Sequence, residues 1–338
     1  MVWQVVERSR AVSLLKSSLE RGRLPNAYLL VGPAHVGKMT LALTLARALN
    51  CEAAEPPCGE CTTCRKIAAG KHADVQVIGL ANGNGKEAKT KTDIGIDQVR
   101  AMQHDASLPP FEGKHKVFII DGAETLSNEA ANCLLKTLEE PADKVIYLLL
   151  TVNEQSLPLT VISRCQKLEM LPIAPENMDK VLQEQWHIES SKARLLSRLS
   201  HGCLGWAVTT SQDDSVLSER KAKLDNIIEM HHSSIFDRFT YADQLANGFS
   251  QHRQSVQDEL ELWLDWWRDL MLVKVGSRDK ITNIDYEKEI NRMAENYTLN
   301  GIRLFIEKLQ EAMAQLKLNA SPRLVLEVMV FNLPGRSK

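Results

Sequence analysis

Residues 27–40 read AYLLVGPAHVGKMT, and this stretch decides the fold. Residues 27–31 are five apolar or aromatic side chains in a row, the pattern of a parallel strand buried on both faces. Gly32, Gly37 and Lys38 then spell G-x-x-x-x-G-K, the turn of a phosphate-binding loop. In such a loop backbone N–H groups cradle the phosphates and the lysine meets the β- and γ-phosphates. The following TLALTLARALN, residues 40–50, is rich in Ala and Leu and reads as a helix. Strand, glycine turn and helix is the context the loop requires. One position departs from the pattern. Met39 stands where a Ser or Thr hydroxyl would ligate Mg²⁺, and Thr40 comes one residue late. The alternative is a Gly-rich strand–helix turn that holds no ligand.

Working outward, residues 117–120 (VFII) form a second apolar strand closed by Asp121. A helix over 128–140 follows, with Ser127 as N-cap and Pro141 past its end. Residues 145–150 (VIYLLL) form a third strand closing on Thr151. Strands separated by helices imply a parallel α/β sheet with helices on both faces. Asp121 suits the metal-holding carboxylate of a phosphate-loop enzyme, but in FIIDGAE the next residue is Gly122, where a glutamate would orient the attacking water. Glu124 lies three residues on and needs an unusual backbone path to stand in for it. Hydrolysis by this site is therefore expected to be negligible.

Cys51, Cys58, Cys61 and Cys64 form C-x6-C-x2-C-x2-C, a spacing that lets four thiolates surround one tetrahedral Zn²⁺. With four protein ligands there is no open position, so the expected role is structural. An iron–sulfur cluster also uses four cysteines, but no redox signal accompanies this one. Cys133 and Cys203 read as small core residues. The loop at 80–93 (LANGNGKEAKTKTD) has no periodicity and is expected to be exposed and mobile. Beyond Pro172 the strand signals stop. Residues 175–210 read as short helices around Trp186 and Trp206, and everything from about 214 on is helical. Val256, Leu260, Trp263, Trp267 and Leu270 step by 4, 3, 4, 3 and make one apolar stripe; Phe305, Leu309, Met313 and Leu316 make another.

The 338 residues suffice for two or three domains, and 41 basic against 43 acidic side chains leave a net charge of −2. A nucleic acid would have to be met by a local patch and not by the overall field. No apolar run is long enough to cross a bilayer, and MVWQVVERSR lacks the pattern of a signal peptide, so the expected compartment is the cytoplasm.

Several stretches together resemble the bacterial clamp-loader branch of the AAA+ ATPases. They are LPNAYLLVGPAHVGK (24–38), the cysteine knuckle, HADV (72–75), IDQVR (96–100), NCLLKTLEEP (132–141), LPLTVISRCQ (157–166) and NASPRLVLEVMVFNL (319–333). The resemblance implies an AAA+ parallel-sheet domain with its zinc module over 1–168, a small helical lid over 169–213, and an all-helical collar over 214–338. It implies that Arg164 of Ser163-Arg164-Cys165 is an arginine finger acting in the ATP site of an adjacent subunit. A fixed guanidinium offers bidentate donors to a γ-phosphate. Taken alone, an arginine near a helix end is more often a surface salt bridge. Thr151 matches the family's polar sensor, and Gly205 of HGCLGWAV stands where a second arginine sensor is usual. Gly32, Gly37, Lys38, Thr40, Asp121 and Thr151 then form a degenerate nucleotide site for ATP or ADP.

With Met39, Gly122 and Gly205 altered and Arg164 kept, the chain resembles a largely non-hydrolysing subunit of a DNA polymerase III sliding-clamp loader. Its implied partners are the tau/gamma and delta subunits, the clamp and primer-template DNA, in a hetero-oligomer. Helices starting near Asp97 and Ser127 are the candidate phosphate contacts. Two rival readings remain. An ATP-hydrolysing motor subunit would turn over ATP in isolation under DNA stimulation. A zinc-dependent nucleic-acid-binding module with a vestigial loop would bind DNA as a salt-sensitive monomer.

Overall fold

In a computed structural model, residues 10–22, 24–80, 93–318 and 320–335 are described. Most of the loop expected to be mobile, residues 81–92, lies outside them. The chain forms two compact units. One comprises the residues up to Ile173 together with Cys203–Trp206; the other comprises Ala174–Gly202 and Ala207 onward.

The first unit is built on a five-stranded parallel sheet: β1 (Ala27–Val31), β2 (Val75–Ile78), β3 (Lys116–Asp121), β4 (Val145–Thr151) and β5 (Gln166–Glu169), in the order β2-β3-β4-β1-β5. Its helices are α1 (Arg10–Glu20), α2 (Lys38–Asn50), α3 (Thr62–Ala68), α4 (Ile96–Ser107), α5 (Asn128–Glu139) and α6 (Leu159–Ile162). Both sheet faces are covered, as the unbroken apolar strands require. Tyr28, Leu30, Val117, Ile119, Ile146, Leu148 and Leu150 pack with residues of α1 and α2 on one face. Leu29, Phe118, Ile120, Tyr147 and Leu149 pack with residues of α4 and α5 on the other. Register puts Val31 beside Thr151 and Asp121 beside Leu150, so the ends of β1, β3 and β4 lie at one edge. Ligands of open α/β sheets bind at this carboxyl edge.

Three strands were legible as apolar runs; β2 and β5 were not. Strand β5 reads QKLE and buries only Leu168, and β2 carries Gln76 with three of its four residues half-buried. Both are edge strands in the sheet order.

The second unit is helical: α7 (Pro175–Trp186), α8 (Ser190–Leu199), α9 (Leu204–Gln212, whose first turn belongs to the first unit), α10 (Asp214–Met230), α11 (Ile235–Gln251), α12 (Arg253–Lys274), α13 (Glu287–Glu295), α14 (Leu299–Lys317) and α15 (Pro322–Phe331). Its core is the expected stripe of α12 set against that of α14. Trp263 and Trp267 are fully buried, and their rings lie 6.1 and 4.6 Å from that of Phe305. Trp266 is buried too, although it falls off the stripe.

Candidate functional site

The phosphate loop leaves β1 and enters α2 through Gly37, whose φ of 105° favours glycine. Lys38 is buried, and its Nζ donates to the carbonyls of Gly32 (2.7 Å) and Pro33 (2.8 Å), so the ammonium is bonded to its own loop. Burial lowers the Lys38 pKa from the ordinary lysine value, while the charges of Glu124, Asp121 and Cys203, in that order, oppose the fall. Met39 is half-buried against the sheet core, which accounts for an apolar residue where a metal-binding hydroxyl is usual. Thr40 is exposed, and its carbonyl accepts from Thr44 Oγ1 at 2.7 Å.

Thr151 is buried at the end of β4. Its carbonyl accepts from Gly32 N at 3.2 Å and its hydroxyl from Asn153 N at 3.1 Å. Asp121 is exposed at the end of β3. Gly122 then turns left-handed (φ 74°, ψ 48°) into a 3₁₀ turn over Ala123–Thr125. The chain thus bends sharply between Asp121 and Glu124. It brings the Glu124 carboxylate near enough to act on Lys38 more strongly than Asp121 does. One Glu124 oxygen is buried and accepts no hydrogen bond among the described residues. Gly205 lies against the loop: its N–H donates to the His35 carbonyl at 3.0 Å, and a Cβ there would meet the same oxygen at 2.7 Å.

Arg164 lies between α6 and β5, away from the residues around Lys38 in the bonds it makes. Nη1 donates to the Thr160 carbonyl (2.8 Å) and Nη2 to Glu139 at the end of α5, with about a third of the side chain exposed at 33%. The next residue, Cys165, is half-buried against the core under α5, where burial pushes its thiol up to about 12. The cysteine thus anchors the segment, and the arginine beside it is partly exposed.

The four knuckle cysteines come together as a separate centre. Their sulfurs lie within 4.8 Å of one another, with Cys51–Cys58 at 3.5 Å and Cys51–Cys61 and Cys58–Cys64 at 4.0 Å. A tetrahedron with ~2.3 Å zinc–sulfur bonds has edges of about 3.8 Å, so the donor set fits Zn²⁺. Backbone N–H groups of Cys58, Cys61 and Cys64 donate to the sulfurs of Cys51, Cys58 and Cys61 at 3.3–3.4 Å. The Cys61 N–H bond leads in pulling the Cys58 thiol down to about 6. The cluster is braced to the loop before β3. Asn50 Oδ1 accepts from Lys114 N and His115 N, and Lys114 Nζ donates to the Cys51 carbonyl. Asp74 accepts three further N–H bonds from Phe111, Glu112 and Gly113 in the same loop. Of the other two cysteines expected in the core, Cys203 is buried and Cys133 is half-buried, its thiol donating to Gln103 Oε1 at 3.2 Å.

A parallel sheet in this order, with a phosphate loop between β1 and α2 and an acidic end on β3, defines a P-loop protein of the AAA+ class. A family described as "DNA polymerase III, delta subunit" matches residues 7–174. The DNA polymerase III subunit delta' of Bacillus subtilis is 30% identical over 96% of this chain and 95% of its own length. The subunit tau of the same organism is 25% identical over 97% of this chain and 60% of its own, and that of Escherichia coli 34% identical over 63% and 33%. The chain belongs to the DNA polymerase III clamp-loader family, with the delta-prime subunit among its relatives along nearly its whole length.

Proposed function

We propose that the chain is the stationary, delta-prime-like subunit of a DNA polymerase III sliding-clamp loader. It hydrolyses little or no ATP itself and supplies Arg164 to the ATP site of a neighbouring tau/gamma subunit. The observation that carries this reading is an asymmetry. Arg164 is partly exposed on a well-held segment, while Lys38 is bonded to the carbonyls of its own loop, and Met39 and Gly122 replace the hydroxyl and the glutamate of a working site. Residues 1–168 serve as the AAA+ domain, 169–213 as the lid and 214–338 as the collar that joins delta and tau/gamma subunits. The cysteine cluster holds a structural Zn²⁺ that takes no part in the chemistry. The clamp and primer-template DNA are the loader's substrates, met by the assembly and not by this chain alone.

The motor-subunit reading draws on one observation, the buried and unpartnered oxygen of Glu124 near Lys38. Both readings are tested on a reconstituted loader with clamp and DNA. Arg164→Ala is expected to cut ATP turnover by about 10³-fold, the low end for arginine fingers. Lys38→Ala is expected to leave turnover within about twofold. Loss with Lys38→Ala and indifference to Arg164→Ala would give the chain the motor role instead.

A further inference from the structure

Arg164 is held before any neighbour arrives. Its two terminal nitrogens bond acceptors on two different helices, Glu139 Oε1 at the C-terminal end of α5 and the Thr160 carbonyl in α6. The residues are 25 and 4 positions from Arg164 in the chain, so the arrangement depends on how α5 and α6 pack. A guanidinium carries five N–H donors in a rigid fork. Nη1 also donates to Ser163 Oγ at 3.4 Å, so three of the five are used, and Nε–H and the second hydrogen of Nη2 have no partner among the described residues. These donors remain for an incoming anion.

We infer that Glu139 is the positioning residue of Arg164, orienting the guanidinium so that the chain presents a preformed fork to the terminal phosphate of a nucleotide held by the adjacent subunit. The inference rests on the arginine-finger reading of Arg164. A free arginine side chain carries about 2 kcal/mol of rotamer entropy, which an unheld finger loses only as it reaches the transition state. Two acceptors on packed helices remove much of that freedom beforehand, the general advantage of a preorganised site. The carboxylate is half exposed at 50%, so its charge is screened and does not cancel the attraction of the guanidinium for phosphate. Glu139 itself touches no nucleotide in this scheme. It acts through Arg164 alone.

The test is a double-mutant cycle in the reconstituted loader, with Arg164→Ala, Glu139→Gln, Glu139→Asp and the double variant Arg164→Ala/Glu139→Gln. Assembly is followed by sedimentation, and kcat and KM for ATP are measured with clamp and DNA present. The expected result has four parts. Glu139→Gln lowers kcat by about three- to tenfold with KM and assembly unchanged, and Glu139→Asp recovers part of it. Arg164→Ala has the larger effect, and Glu139→Gln adds nothing to it. If Arg164→Ala is severe but Glu139→Gln is silent, or multiplies with it, Glu139 is an ordinary surface ion pair and the inference falls while the finger survives. If Arg164→Ala is itself without effect, the finger reading falls and the inference with it.

Discussion

At the scale of single residues, the site is defined by where side chains are missing. Gly205 shows this most directly, because its backbone lies against the phosphate loop with its N–H on the His35 carbonyl. A Cβ at Gly205 would stand 2.7 Å from that oxygen, and the nearest atoms are backbone, which does not swing aside as a flexible side chain would. Gly205→Ala is therefore expected to destabilise the first unit by about 1–3 kcal/mol, the usual range for overpacking. Urea unfolding of the variant against the parent chain reads this out, and an unchanged midpoint would show that the loop yields freely. The same contact explains why an arginine sensor does not fit at this position while the loop stays where it is. Much of the site was legible from residue identity: Met39, Gly122 and Gly205 mark departures from a working nucleotide site, and the spacing of Cys51, Cys58, Cys61 and Cys64 is local enough to imply a shared metal. The placement of two carboxylates was not. Glu124 depends on the left-handed turn at Gly122, which glycine permits but does not dictate. Glu139 reaches Arg164 through helix packing across 25 residues, which no local pattern encodes.

At the scale of elements, the four-cysteine module and the loop before β3 form one braced piece. Asn50 precedes the first zinc-ligand candidate and accepts two N–H bonds from Lys114 and His115, while Lys114 returns a bond to the Cys51 carbonyl. Removing a bound metal should therefore loosen a segment 63 residues from Cys51 in sequence. Chelation or Cys61→Ser is expected to raise hydrogen exchange at Lys114 and His115 at least about tenfold, with zinc content falling from one per chain. Unchanged exchange at those amides, with zinc gone, would confine the metal's role to the knuckle. In the helical unit, His201 at the end of α8 meets Asp265 of α12 at 2.8 Å, and this hydrogen bond raises the His201 pKa above its ordinary value. A group whose folded pKa is raised stabilises fully below its unfolded pKa, near ~6.5, and loses that contribution as pH rises through the folded value. The denaturation midpoint of the intact chain should thus fall, as pH rises above about 6.5, by more than that of Asp265→Asn. Parallel pH profiles for the two would show that the His201–Asp265 bond contributes no pH-dependent stability. What escaped sequence reading at this scale was the pair of edge strands: Gln76 breaks the apolar run of β2, and β5 presents three exposed polar residues to one buried leucine. Edge strands carry polar faces because one side meets solvent, so they lose the signal that exposed β1, β3 and β4.

At the scale of the whole molecule, binding a nucleotide and using one become separable. The loop keeps the glycines and the lysine of a phosphate-binding loop, and Met39, packed against the core, stands where a hydroxyl would hold Mg²⁺. To meet a phosphate, Lys38 must exchange its bonds to the Gly32 and Pro33 carbonyls for bonds to the ligand, which weakens binding without forbidding it. The isolated chain is therefore expected to bind ADP with an affinity that depends on Lys38 and hardly on metal. In calorimetry, replacing Mg²⁺ with EDTA should change the Kd by less than about threefold, whereas Lys38→Ala should abolish the signal. The same preparation should release no phosphate from ATP above background. A tenfold or greater loss of affinity in EDTA would mean that Asp121 and Glu124 hold a metal after all. Phosphate release would mean that Glu124, carried round by Gly122, does the work of the absent glutamate. If neither occurs, the isolated chain's site works without a metal and without turnover, as Met39 and Gly122 imply.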